Sequence, residues 1–361
     1  MTAESNRPLR NASDRVLLES ANRILGPSVL LVMQSGTRLA PALITAGKGL
    51  SWDIFTFEHF LLTSLLDQLA EHGGNLPDAE VEVHCAPDLP EGPFDTVVIP
   101  TLSRGAAELT RDLLQDAADR VKSNGRVVVS TDNVKDSWLL KQLKSIFGRV
   151  TVEHHKDGVC YIARCRPTPF KRKDFRAEFA FRDGERLVHC YSRPGVFSHR
   201  KVDGGARSLI RSMNLLPDDF TPDNIVEMGS GCGAVATAAA LRYPESRVLA
   251  VDSNVRAIEA TQATAQHNGV TNMQVMLTCN GVLPDEGKWD LFLTNPPYYS
   301  DYRISELFLQ SAIASLRPGG RLHLVTRLTD WHVERVSELF SEVQVANIGE
   351  YSVITAIGDS N

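Results

Sequence analysis

Three short stretches of this 361-residue chain carry side chains whose types and spacing could do chemistry. The first is Asn224-Ile225-Val226-Glu227-Met228-Gly229-Ser230-Gly231-Cys232-Gly233. A short apolar run feeds three glycines at spacing two, and Ala234 to Leu241 then reads as a helix of small and apolar residues. Glycines there permit a tight turn and close approach of a ligand to the backbone, and the helix N-terminus adds partial positive charge. The next strand, Arg247-Val248-Leu249-Ala250-Val251, ends in Asp252, 23 residues after Gly229. An acid at that place can accept hydrogen bonds from both hydroxyls of a ribose. Gly229, Ser230, Gly231 and Gly233, with Glu227 and Asp252, are therefore the candidate cofactor-binding residues. Dinucleotide enzymes favour G-x-G-x-x-G. The spacing here is G-x-G-x-G, and Glu227 beside the loop would repel a pyrophosphate. It suits the cationic end of S-adenosylmethionine, with a nicotinamide or flavin nucleotide and a bare glycine turn as the alternatives.

The second stretch is Asn295-Pro296-Pro297-Tyr298, placed at the end of the apolar run Asp290-Leu291-Phe292-Leu293-Thr294. Open α/β sheets bind ligands at that end of their strands. Asn295 offers a side-chain carbonyl, Pro296 a main-chain carbonyl without an N–H, and Tyr298 a flat face. Such a set suits a planar substrate with an sp² amine, a base or an amide. Both acceptors could bind the amine hydrogens and aim its nitrogen at a methyl group, a displacement helped mainly by positioning and electrostatics. The third stretch, Cys279-Asn280-Gly281, follows a strand over Gln274–Thr278. Asn280 could reach an adenine amine, or could simply form a turn with Gly281.

The elements that must position these residues read as two similar halves. Val29–Val32, Val81–Cys85, Thr96–Ile99 and Arg126–Val129 are strand candidates, and Ala106 to Val121 is helical, with Leu109, Leu113, Leu114 and Ala117 on one face. Strands alternating with helices imply βαβ units and a mostly parallel sheet. The second half repeats landmarks of the first. Phe94-Asp95 corresponds to Trp289-Asp290, and Gly125-Arg126 to Gly320-Arg321, both at an offset of 195. A shared offset suggests duplication. The expected fold is α/β, two tandem Rossmann-like domains with mostly parallel seven-stranded sheets flanked by helices. The expected bounds are 1–165 for the first, 166–175 for a basic linker containing Arg166-Pro167-Thr168-Pro169, and 176–361 for the second, which would open with a hairpin about Asp183-Gly184.

Composition limits the rest. Hydrophobic residues make up 43% and charged residues 23% of the chain, which is globular. No apolar run approaches the roughly 18–20 residues of a membrane span. The polar start lacks a signal-peptide core, so a cytoplasmic protein is expected. Six scattered cysteines form no CxxC pair and indicate neither disulfides nor a metal site. The net charge of −6 conceals an asymmetry, because Arg164 to Arg211 holds thirteen Lys/Arg against five Asp/Glu. That belt suggests a polyanion met at one place, or else a solvated linker.

With these residues in hand, the chain resembles the class I amino-methyltransferases that use S-adenosylmethionine. Pro194-Gly195-Val196-Phe197-Ser198 followed by Val202-Asp203-Gly204-Gly205 looks like the run that opens the catalytic domain of ribosomal RNA guanine-N2 methyltransferases (RsmC-like). The catalytic resemblance covers about residues 190–357. The resemblance implies that Glu227 and the glycines hold the methionine part, Asp252 the ribose, Asn280 the adenine and Asn295 the target amine. It implies that Tyr298 stacks on the base, and that Phe197 and Asp203 lie near the cofactor mouth. The first half would be a degenerate copy without cofactor, because Met33-Gln34-Ser35-Gly36 replaces the glycine loop and Pro100 stands where the second half has Asn295. It would be a scaffold or an RNA-docking element.

The expected function is methylation of the exocyclic N2 amine of a guanine in ribosomal RNA or a ribosomal subunit. Lys171, Arg172, Lys173, Arg193, Arg200 and Lys201 would hold phosphates, and Phe197 would lie at the substrate side. No metal or membrane is involved in this reading, and a monomer is favoured. The alternatives keep the chemistry and change the substrate to a protein glutamine amide, adenine N6 or a small molecule. A non-catalytic binding module is a further alternative that the intact glycine loop, Asp252 and Asn295 disfavour.

Overall fold

The computed structural model describes residues 9–47, 50–72, 79–103, 106–164, 170–297 and 300–359. The chain divides into two compact units, Met1–Phe175 and Arg176–Asn361. In the first, the strands are β1 (Ser28–Val32), β2 (Ser51–Thr56), β3 (Val81–Cys85), β4 (Phe94–Thr101), β5 (Val121–Thr131), β6 (Arg149–His155) and β7 (Gly158–Arg164). Helices α1 (Ala12–Glu19), α2 (Leu39–Ala46), α3 (His59–His72), α4 (Ala107–Arg120) and α5 (Trp138–Ile146) flank them. The sheet order is β3-β2-β1-β4-β5-β7-β6, parallel except for β7.

The second unit opens with the expected hairpin, β8 (Ala177–Asp183) and β9 (Arg186–Ser192). Its sheet comprises β10 (Asn224–Met228), β11 (Arg247–Asp252), β12 (Met273–Leu277), β13 (Trp289–Thr294), β14 (Leu316–Thr326), β15 (Ser341–Ile348) and β16 (Tyr351–Ile357). The helices are α6 (Gly204–Ser212), α7 (Ala234–Arg242), α8 (Val255–His267), α9 (Arg303–Ser315) and α10 (Thr329–Leu339). The order β12-β11-β10-β13-β14-β16-β15 is that of the first sheet, element for element. Each unit is thus a Rossmann-like domain of the expected kind.

Both sheets are buried on two faces, which is why their central strands are continuous apolar runs rather than alternating ones. Ile225, Val226, Leu291, Phe292 and Leu293 have no exposed surface, and neither do Val29, Leu30, Val97 and Val98. The aromatic-Asp landmarks share a structural job. Asp290 Oδ2 accepts the main-chain N–H groups of Asp223 (3.0 Å) and Asn224 (2.8 Å), and its Oδ1 pairs with Arg317. Asp95 Oδ2 accepts from Ser28 N (3.1 Å) and its Oδ1 from Lys122 Nζ (2.9 Å). In each unit one carboxylate ties the start of the central strand to a cation at the start of the fifth strand.

The same register shows how the copies differ. Leu31 pairs with Ile54 as Glu227 pairs with Ala250, so the first unit carries leucine where the second carries its buried acid. By the same register β2 ends in Thr56 where β11 ends in Asp252. Met33, at the place of Gly229, is fully buried, and Gln34 Nε2 donates to the Pro100 carbonyl at 3.0 Å. Among the described residues, Asp53, Glu82 and His84 also cluster, with His84 Nε2 2.7 Å from Asp53 Oδ1. No described helix is long and apolar enough to cross a membrane.

The paired acid makes a stability prediction. Asp290→Ala strands two main-chain donors and leaves Arg317 without its carboxylate. Loss of roughly 2 kcal/mol is expected in the second unit's urea unfolding, mostly from the unsatisfied donors because Arg317 is half-exposed. An unchanged unfolding midpoint would show that the carboxylate does not hold the strand.

Candidate active site

Strand β10 lies between β11 and β13, and its register fixes what meets at its end. Met228 pairs with Val251 on one side and Thr294 on the other, so Gly229, Asp252 and Asn295 leave the sheet side by side. The glycine turn is stitched to its neighbour. Gly229 N and Ser230 N donate to the Val251 carbonyl at 2.8 and 2.9 Å, and Gly231 N donates to Asp252 Oδ2 at 2.8 Å. Ser230 Oγ lies 3.1 Å from Thr261 Oγ1. Gly233 begins α7 with φ 76°, and a Cβ there would stand 2.9 Å from the Thr261 Cα. Only glycine fits that turn without strain.

Glu227 sits under this loop, 3% exposed. Its Oε2 accepts the Ala236 N–H at 2.7 Å, which satisfies one of the free donors at the start of α7. Burial raises its pKa well above the ordinary carboxylate range, and the Ala236 bond opposes that only in part. Burial likewise raises the pKa of Asp252, against the main-chain donors of Gly231, Asn254 and Ser253. A buried carboxylate with one main-chain donor, facing a cleft, is a fitting receptor for a cationic group. The Asp252 carboxylate holds the loop, a job the spacing alone did not reveal.

Asn295 follows the fully buried Thr294, whose Oγ1 donates to the Met228 carbonyl at 3.1 Å. The Asn295 Nδ2 donates to Asp203 Oδ2 at 3.3 Å. Asp203 also caps α6, accepting from Gly205 N (3.1 Å) and Ala206 N (3.0 Å). Pro296 and Pro297 continue the turn, and Tyr298 lies outside the described residues. An open cleft brings together Phe197, Lys201, Asp203, Glu227, the loop from Gly229 to Cys232, and Asn295.

The mouth of that cleft is built by residues that sequence reasoning missed. Asn254 caps α8 through Oδ1 and donates from Nδ2 to the Gly195 carbonyl at 3.2 Å. The fully buried Arg256 donates from Nη1 to the Pro194 carbonyl at 2.6 Å. The signals were an Asn ahead of a helix and an Arg on an otherwise small, apolar face. Together they hold the turn that presents Phe197, which is 67% exposed. Ser198 and Arg200 in the same turn have left-handed backbones, at φ 53° and 77°.

The remaining expected residues differ in what they touch. Asn280 is exposed and is not among the residues lining the cleft, and its Oδ1 accepts from Thr278 Oγ1 (2.8 Å) and Val282 N (3.0 Å). Both lone pairs are used within its own turn. The Arg172 guanidinium is forked onto Asp116 and Asp119. The Lys173 main chain is bound twice by the Gln115 side chain, at 2.7 and 3.0 Å. Arg193 Nη1 pairs with Glu259 Oε2 at 2.7 Å. Lys171, Lys173 and Lys201 are exposed, and Lys201 reaches the cleft.

A sheet that switches direction at β10, with a glycine turn, an acid and an Asn-Pro-Pro turn at the switch, is the architecture of a class I methyltransferase domain. Residues 188–355 match the family model described as Methyltransferase small domain. The similarity extends over the whole chain to ribosomal RNA small subunit methyltransferase C. That of Shewanella piezotolerans (strain WP3) is 25% identical, over 94% of this chain and 96% of its own length. That of Pseudomonas putida (strain GB-1) is 29% identical, over 67% and 72%. A T. thermophilus 16S rRNA N2 methyltransferase (RsmC), solved with AdoMet and guanosine, shares the fold with a TM-score of 0.76. It is 19% identical, over 97% of this chain and 92% of its own. The chain is RsmC-like, with a methyltransferase small domain as its second half.

Glu227 gives a pH prediction. Its folded pKa is raised, so the unfolded chain loses this proton first as pH rises. Stability is then lost from about pH 4.5 upward until the folded group also ionises. Glu227→Gln keeps an acceptor for the Ala236 N–H and carries no charge. The ligand-free variant should match the wild type at pH 4 and melt at a higher temperature at pH 8. A thermal-shift series from pH 4 to 8 checks this, and a difference independent of pH would refute it.

Proposed function

We propose that this protein transfers a methyl group from S-adenosylmethionine to the exocyclic N2 amine of a guanine in small-subunit ribosomal RNA. One observation carries the reading. A single cleft joins the buried carboxylate of Glu227 to Asn295, whose Oδ1 has no partner among the described residues. The likeness to small subunit methyltransferase C over nearly the whole of both chains supports the substrate class. S-adenosylmethionine, when bound, supplies an electrophilic methyl on a sulfonium.

In this proposal Glu227 and the main chain from Gly229 to Gly233 hold the methionine part, and Asp252 holds the ribose. Asn295 Oδ1 and the Pro296 carbonyl accept the two amine hydrogens. That bonding would leave the nitrogen lone pair facing the methyl. The N–C bond would form in exchange for the methyl–sulfur bond, with the neutral thioether as leaving group, and the amine would release its extra proton to water. The target amine is hidden in a paired helix, so the base must be unpaired or turned out to reach the cleft. Phe197, exposed at the mouth, offers it a flat face. Lys171, Lys173, Arg200 and Lys201 hold phosphates, while Arg172 and Arg193 serve the fold through their carboxylates. A monomer acting in the cytoplasm completes the reading.

The test incubates the protein with methyl-labelled S-adenosylmethionine and separately with ribosomal RNA, small ribosomal subunits, transfer RNA, DNA and total protein. Label in ribosomal RNA or the subunits that falls at least 100-fold in Asn295→Ala, and digests to N2-methylguanosine, is expected. Label in protein would move the reading to a glutamine amide, and label in adenosine would also overturn it.

Binding to small-subunit RNA should weaken steeply with salt. Lys201→Ala should flatten the slope of log K against log salt by roughly 0.7–0.9, the share of one phosphate. Arg193→Ala, which breaks an ion pair within the protein, should leave that slope unchanged. Equal slopes for Lys201→Ala and the wild type would remove Lys201 from the phosphate contacts.

A further inference from the structure

We infer that the start of helix α6 is the device that orients Asn295, with Asp203 as its positioning residue and Gly205 as its seat. The inference rests on the methyl-transfer reading above. A carboxamide has an acceptor end and a donor end of nearly equal size, and only its surroundings decide which end faces a substrate. An acceptor oxygen suits an amine, whereas an NH₂ group would oppose it donor to donor. An ionised carboxylate accepts and cannot donate, so it pairs with the NH₂ end alone.

Asp203 supplies that carboxylate in a fixed place. Its Oδ1 accepts from Ala206 N at 3.0 Å and its Oδ2 from Gly205 N at 3.1 Å, which leaves the carboxylate little freedom to rotate. The same Oδ2 accepts from Asn295 Nδ2 at 3.3 Å. The Oδ1 of Asn295 is thereby turned away from Asp203. The two residues lie 92 positions apart, on different elements, and both line the cleft.

Gly205 adds a steric constraint that is independent of charge. A Cβ built on it would stand 2.6 Å from Asn295 Oδ1, 2.7 Å from Nδ2 and 2.9 Å from Cγ. The carboxamide therefore lies against the bare Cα of Gly205, and any larger residue displaces it. Gly205 has helical backbone and no positive φ, so its own conformation does not demand glycine. What demands it is the space that Asn295 occupies.

Two variants separate this role from support of the fold. Serine is a strong helix N-cap, so Asp203→Ser keeps α6, but its hydroxyl is too short to reach Asn295. Alanine favours a helix more than glycine does, so Gly205→Ala does not weaken α6. Both should lower kcat for methyl transfer to RNA by at least tenfold. KM for S-adenosylmethionine should stay within about threefold and Tm within about 3 °C. A substrate-free readout accompanies the kinetics, the side-chain amide resonances of Asn295 under asparagine-selective ¹⁵N labelling, assigned by their loss in Asn295→Ala. They should shift in both variants.

Wild-type kcat in Asp203→Ser overturns the inference and leaves the methyl-transfer reading intact. So does a loss of kcat matched by loss of Tm and of cofactor binding, which is the signature of a structural cap. A wild-type protein that labels no substrate overturns the reading instead. The orientation of Asn295 is then decided by its amide resonances, and their failure to move in Asp203→Ser overturns the inference.

Discussion

The pairing of β10 between β11 and β13 is the constraint on which the site depends. The chain crosses from one side of β10 to the other between β12 and β13, so the loops after β10 and β13 part and leave a crevice at the strand ends. Three residues of different chemistry arrive there because their strands end in step. A slip of β10 by one residue would turn Glu227 to the opposite face of the sheet. The apolar side chains on both faces oppose that slip, since Ile225, Val226, Leu291 and Phe292 have no exposed surface to trade.

Held in that register, the site carries costs that the fold alone would not choose. Glu227 is buried with its pKa raised, and its main compensation is the Ala236 N–H at the positive end of α7. Leucine fills the same register position in the first unit, where no such cost arises. Backbone strain is concentrated nearby. Ser300, Asp301 and Tyr302, which follow the Asn-Pro-Pro turn, all have left-handed φ values (89°, 48° and 62°). Such conformations cost of order 1 kcal/mol or more each and persist only where the surroundings enforce them. Here the Tyr302 ring stacks on Trp331 at 4.3 Å, and Trp331 in turn meets His332 edge to face.

Much of this was legible in the residues because local chemistry and local periodicity determine it. Glycines at spacing two, an acid at the end of the next strand and apolar runs ended by turn residues report their own neighbourhoods. The likeness of the two halves was legible through Asp95 and Asp290, each at the start of an apolar strand. The structure gives the reason, since each carboxylate ties two strand starts together. Pairings across long stretches of chain were not legible. Arg172 and Arg193 counted as available cations in the charge balance, yet each is spent on carboxylates 53 and 66 positions away. A charge sum counts cations without their partners. Asn280 sits at a strand end as expected, but Thr278 and Val282 take up its carbonyl within the turn.

The two units show which of these features belong to the fold and which to the chemistry. Both keep the strand order, the tying carboxylate and a cation to pair with it, Lys122 in one and Arg317 in the other. These features hold a sheet together and say nothing about a ligand. At the crevice the two units carry residues of different chemistry. Leu31, Met33, Thr56 and Pro100 stand where the second unit has Glu227, Gly229, Asp252 and Asn295. A methionine cannot take up the glycine turn cheaply, and a proline has no carboxamide to offer an amine. The crevice region of the first unit is bridged by Gln34 to the Pro100 carbonyl. The sheet therefore does not need the site, while the site needs every register position of the sheet. That asymmetry is why a sheet of this order can stand with or without a crevice of this chemistry.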